Sequence, residues 1–176
     1  MHDTESLLAI EAIRTLKARY FRCVDTKDWN ALHDLFAVDA VFDRSYGHAV
    51  RDDWTGEWTP PLPPEPLLVH GRDAIVAMVR HAVADIATVH HGHTAEITVT
   101  GPDQASAIWA MSDELRDRRG RLILAGRGHY EDTYRRTEDD WRIATTRLTR
   151  LAIIRGERGA HPAPARSHAA RQRKSA

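Results

Sequence analysis

Apolar side chains at Leu7, Ile10, Ile13, Leu16, Tyr20 and Val24 recur at intervals of three and four, the repeat of one face of an α-helix. With Asp3 or Thr4 available to cap its start, this pattern predicts a first helix over 4–24. Residues 29–36 predict a short second helix presenting Leu32, Leu35 and Phe36, with Asp25 or Thr26 at its N-cap. Residues 38–42 predict a strand. Ile75, Val76, Val79, Val83 and Ile86 form a third helical stripe, opened by Gly71-Arg72-Asp73. Beyond it the period falls to two. Stretches 93–100, 105–115, 122–134 and 141–154 read as strands, divided by turns at Gly101-Pro102-Asp103-Gln104, Arg118-Arg119-Gly120 and Glu138-Asp139-Asp140. Three helices followed by a strand meander predict an α+β domain with its helices on one face of a curved antiparallel sheet.

One stretch breaks the pattern. Between Arg44 and His70 the chain carries Tyr46-Gly47, Trp54, Gly56, Trp58 and the prolines 60, 61, 63, 64 and 66, which oppose helix and most strand pairing. A segment of this length without regular structure reads as a lid or binding loop, with Trp54 and Trp58 as its apolar contacts.

Composition adds a single core: 176 residues with 42% hydrophobic content suit one domain, assigned to 1–155. The 25 basic and 25 acidic side chains cancel, but unevenly. Arg158, Arg166, Arg171, Arg173 and Lys174 follow Gly156 against Glu157 alone, leaving a body with 20 basic and 24 acidic groups and a basic tail, 156–176, read as disordered. An acidic body does not attract a phosphate backbone, so nucleic acid is not expected as a partner. No apolar run approaches bilayer length and the start is polar, so no membrane contact and a cytoplasmic location are expected. Cys23, the only cysteine, reads as a small core residue.

The chain has no Gly-rich nucleotide loop, Gly-x-Ser-x-Gly elbow or Cys-x-x-Cys pair. What it does have is an ordered series: Arg19-Tyr20 through Asp25 and Asp28-Trp29, Asp39-Ala40-Val41-Phe42, Gly71-Arg72-Asp73-Ala74-Ile75, Thr88-Val89-His90-His91, and Gly128-His129-Tyr130-Glu131-Asp132 before Trp141-Arg142-Ile143. From about Leu7 to Ile154 this resembles SnoaL-like domains of the NTF2-like superfamily, with scytalone dehydratases and bile-acid 7α-dehydratases as the nearest functional models. The resemblance implies a cone-shaped α+β fold, the helices packed on the concave face of the sheet around an apolar pocket. It also implies a cofactor-free dehydratase or isomerase. In such enzymes a tyrosine and an aspartate from the first helix face a histidine on the strand after the third helix; those roles fall on Tyr20, Asp25 and His90. An arginine of the last strand joins some of these pockets, and Arg147 holds that place.

The residue types fit the chemistry. Removing water across a carbon–carbon bond needs a base for a proton beside a carbonyl and a donor for the departing hydroxyl. A histidine does this near neutrality, and a carboxylate on its other nitrogen fixes its tautomer. His90 would be the base, Asp25 its partner, Tyr20 a donor and Arg147 a stabiliser of the enolate. Each residue also has a plainer reading: Tyr20 as core, Asp25 as a helix cap, Arg147 in a surface ion pair. About 140° of helical rotation separates Tyr20 from Asp25, so a shared face requires the helix to end or bend between them.

His90 and His91 point to opposite faces of a strand, and the resemblance favours His90. His91-Gly92-His93 lacks a carboxylate to complete a ligand set, so no metal is expected. Tyr46, Trp54, His91, Trp109 and Met111 are the candidate pocket-wall residues. The expected partner is a hydrophobic cyclic molecule such as a polyketide, steroid or terpenoid, with self-association as a homodimer or homotrimer. A non-catalytic binding or assembly module on the same scaffold is the competing reading. A ring-hydroxylating dioxygenase small subunit ranks last, because that group lacks the Tyr/Asp pair.

Overall fold

A computed structural model describes residues 3–138 and 140–156. Helix α1 spans Asp3–Thr26, α2 Trp29–Asp34 and α3 Arg72–Ala82. The strands are β1 Phe36–Asp43, β2 Val50–Arg51, β3 Trp58–Thr59, β4 Leu68–His70, β5 Ala87–Val99, β6 Gln104–Arg116, β7 Leu122–Arg136 and β8 Trp141–Arg155. They form one sheet in the order β3-β2-β8-β7-β6-β5, with β1 running parallel to β8 and antiparallel to β4. The long strands β5 to β8 are antiparallel neighbours, and the helices fill the concave side, as the α+β cone requires. The basic tail lies outside the described residues.

Helix α1 runs two residues past the predicted end. It closes in a C-terminal reversal in which Lys27 takes φ 62° while Lys27 and Asp28 donate back to the carbonyls of Val24 and Cys23. Asp28, rather than Asp25 or Thr26, caps α2: its carboxylate accepts from the Ala31 N–H at 3.1 Å. The Pro-rich stretch also departs from expectation. It contains the β2–β3 hairpin and β4, both joined to the main sheet, so the prolines fall between paired segments. Asp52 organises the hairpin turn by accepting from the N–H groups of Trp54 and Thr55.

Two bulges decide which side chains face the cone. In β5 the pairing shifts between Gly92 and Ala95, so Thr88 and His90 share the inner side with Ala95, Ile97 and Val99. In β8 Ala144 is the extra residue between Ile143 and Thr145. Trp141 and Ile143 are buried before it; Thr146, Leu148 and Arg150 are buried after it.

The floor of the cone holds an ion pair. Lys17 on α1 donates to Asp132 on β7 at 2.7 Å, and both side chains are 0% exposed. The Tyr134 and Thr146 hydroxyls also donate to Asp132, each at 2.7 Å, and Trp109 donates to Tyr134. The Lys17 ammonium stands 3.7 Å from the centre of the Tyr130 ring. Burial pulls the Lys17 pKa down and Asp132 pushes it back up. Removing one member of such a pair leaves a charge unsatisfied in the core. Lys17→Met is therefore expected to cost about 3–5 kcal/mol in urea unfolding, and Lys17→Met combined with Asp132→Leu is expected to cost less than the single change.

Candidate active site

Asp25 sits in the last turn of α1, beside the edge strand β5. Its Oδ1 accepts from the Thr88 hydroxyl at 2.8 Å and pairs with His90 Nδ1 at 2.6 Å, while its Oδ2 accepts from the His90 backbone N–H at 2.9 Å. Because β5 is the sheet's outer member, that N–H faces outward and is available to a side chain. The 140° difficulty resolves without a bend: α1 is continuous, Tyr20 projects into the cone, and Asp25 reaches sideways to the strand. Burial alone would raise the Asp25 carboxyl. The His90 ring and backbone donors, followed by Thr88, outweigh it and hold the carboxyl below its usual range.

An ionised carboxylate only accepts, so Nδ1 of His90 carries the proton directed at Asp25, and in the neutral ring Nε2 holds the lone pair. The ring is stacked on Phe21 at 5.9 Å and 14°. Phe21 in turn occupies the space a side chain at position 92 would need: a Cβ on Gly92 would stand 2.4 Å from the Phe21 ring.

His90 lines a cavity of about 180 Å3 between the helices and the sheet, together with Tyr20, Val24, Phe42, Leu148 and Arg150. Tyr20 is buried edge-to-face against Tyr130, at 5.9 Å. Burial, reinforced by Tyr130, Asp132 and Asp25, pushes the Tyr20 hydroxyl well above its usual pKa, so it is a protonated donor at neutral pH. Directly across the β5–β6 ladder from His90 stands Asp113. Arg150 grips Asp113 with both ends of its guanidinium, 2.6 Å each, and its Nε donates to the Gly47 carbonyl at 3.1 Å. Gly126, opposite Asp113, makes the room: a Cβ there would fall 1.8 Å from Arg150 Nη1. Three of the five guanidinium N–H groups are used, leaving two.

The other candidates lie outside this cavity. Arg147 is 45% exposed on the outer face of the sheet, where it pairs with Asp43 at 2.9 Å and Glu131 at 3.7 Å; the extra residue at 144 reverses the alternation that pointed it inward. Tyr46 packs on Trp58 and under the Arg147 guanidinium. Trp54 is 91% exposed. Met111 is buried in the sheet's inner layer, outside the cavity wall. His91 and the buried Trp109 line a lateral groove on the other side of the Asp25–His90 pair, with Arg14 and Arg22. His93 turns to Ser112, and among the described residues no three His, Cys, Asp or Glu side chains gather around a point that would hold an ion.

Asp113, Arg150 and Lys17 are absent from the sequence expectations. A signal for two of them exists: Asp113 continues the inward series Trp109, Met111, and the Gly126-x-Gly128 pair vacates space beside it.

Comparison with known proteins agrees with this architecture. The model of the SnoaL-like domain matches residues 5–147. A probable cyclase, FGR4, of Gibberella zeae is 24% identical over 158 residues, spanning 81% of this chain and 91% of the relative. Among solved structures, a putative scytalone dehydratase from Novosphingobium aromaticivorans superposes with a TM-score of 0.70 at 19% identity, over 94% of this chain and 99% of that one. A type 2 hexachlorocyclohexane dehydrochlorinase, LinA, gives 0.68 at 15% identity over 93% and 99%. The chain belongs to the SnoaL-like family of the NTF2-like superfamily.

Proposed function

We propose that this protein is a cofactor-free acid–base enzyme of the dehydratase or isomerase type, acting on a hydrophobic cyclic molecule. The observation that carries the reading is the His90–Asp25 pair, with His90 in the wall of a largely apolar cavity and its Nε2 unengaged among the described residues. The activities named for the relatives support it, since base-promoted dehydration and dehydrochlorination both remove a proton from carbon. A cavity of about 180 Å3 favours one or two rings over a full steroid skeleton.

In the proposed reaction Nε2 of His90 takes a proton from the carbon beside a carbonyl. The C–H electrons move into the forming double bond, and negative charge develops on the carbonyl oxygen. Asp25 stabilises the imidazolium. The two spare N–H groups of Arg150 take the stabilising role that the sequence assigned to Arg147. Tyr20 donates to the departing hydroxyl, which leaves as water, and the imidazolium proton restores the phenol. In an isomerisation the same proton returns to a different carbon.

Incubating the purified protein in deuterated buffer with β-hydroxy ketones and cyclic enones tests this by mass spectrometry. Wild type is expected to exchange or dehydrate members of the panel. His90→Ala and Asp25→Asn are each expected to be slower by about 10²–10⁴-fold. Activity indifferent to both changes would sink the assignment, and binding without exchange in any variant would favour a ligand-binding module.

Asp25 titrates below its ordinary 3.8 in the folded chain, so its stabilising contribution is complete above that value and is lost as pH falls through the depressed one. Urea unfolding of wild type and Asp25→Asn is expected to show a constant stability gap near neutrality that closes below about pH 4.

A further inference from the structure

The cavity is chemically lopsided. Around His90 and Tyr20 its wall is formed by apolar side chains, including Val79, Leu115 and Leu148. Its outer part is formed by the exposed residues Arg44 and His48, from the segment after β1. Neither side chain has a hydrogen bond or an acidic partner among the described residues. Asp113, the one carboxylate in the cavity wall, is held by Arg150. Asp25 lies behind His90 and is not part of the wall. Burial lowers the His48 pKa, and the positive charges of Arg150, Arg44 and Arg155 lower it further.

A guanidinium left without a counter-ion beside an apolar cavity is a fork for an oxyanion. We propose that the substrate is a hydrophobic cyclic carboxylate, its ring in the apolar part beside His90 and its carboxylate at the rim between Arg44 and His48. This rests on reading the cavity as the active site and narrows the substrate to an acid. An anion at the rim anchors the ring from its far side, so the carbon to be deprotonated is presented to Nε2 in one orientation. It also keeps the negative charge apart from the Asp25 carboxylate at the opposite end, which would otherwise repel it.

Fluorescence titration with 2-naphthoate and its neutral isostere 2-naphthamide tests the assignment on the full chain. Naphthoate is expected to bind wild type at least about tenfold more tightly, on the scale of one charge-assisted pair. Arg44→Gln and His48→Gln, alone and together, are expected to erode that preference while leaving naphthamide affinity within about twofold. His90→Ala is expected to keep it. Equal or tighter binding of naphthamide, absence of naphthoate binding, or a preference that survives the double change would each overturn the proposal.

The two readings fail separately. His90-dependent exchange on neutral ketones without a naphthoate preference would leave the acid–base function standing and remove the acidic substrate. A rim-dependent preference with no exchange on any compound would do the reverse.

Discussion

The seating of α1 depends on a charge that has no access to water. Lys17 and Asp132 are both fully buried, and an ammonium in such a place persists only with its partner and the surrounding hydroxyls and ring faces in register. The pair ties the middle of α1 to the centre of β7. From that anchor, one turn on, Tyr20 enters the cone, and two turns on, Asp25 meets β5. A purely apolar contact would allow the helix to slide or rotate by a fraction of a turn; a buried pair with three further hydrogen bonds defines a position. The aspartate that orients His90 is accurate in space because a lysine two turns earlier is.

Much of this was legible from residue order. Helical periods marked α1 and α3, two-residue alternation marked β6, β7 and β8, and the Tyr20, Asp25 and His90 set came from resemblance. What was illegible has a physical origin in each case. Arg147 and Arg150 exchange faces because one unpaired residue at 144 resets the alternation, and a bulge depends on pairing geometry that no local pattern encodes. Lys17 was hidden because a lysine on a helix reads as solvated until its partner, 115 residues away, is known. Short strands among prolines escaped notice because their partners, β1 and β8, are distant in sequence.

The site itself is an arrangement of unlike environments at close quarters. A phenol driven to remain protonated by burial and a guanidinium with spare donors share one cavity wall with an imidazole, which is backed by a carboxylate stabilised by three donors. None of these states is exotic for its residue alone. In the proposed reaction their value lies in the fixed separation of proton acceptor and proton donor, which a solvent-filled cleft would blur. The glycines at 92 and 126 maintain that separation by leaving room for Phe21 behind the imidazole and for Arg150 over the sheet.

The edge position of β5 has a consequence beyond the cavity. An outer strand offers its unpaired backbone donors to any other extended chain, and proteins blunt such edges to avoid sticking together. Here the donor at His90 is already taken by a side chain from the neighbouring helix. The same carboxylate that tunes the imidazole therefore acts as a guard on the border of the sheet. A chain with no use for the imidazole would still have reason to keep that aspartate.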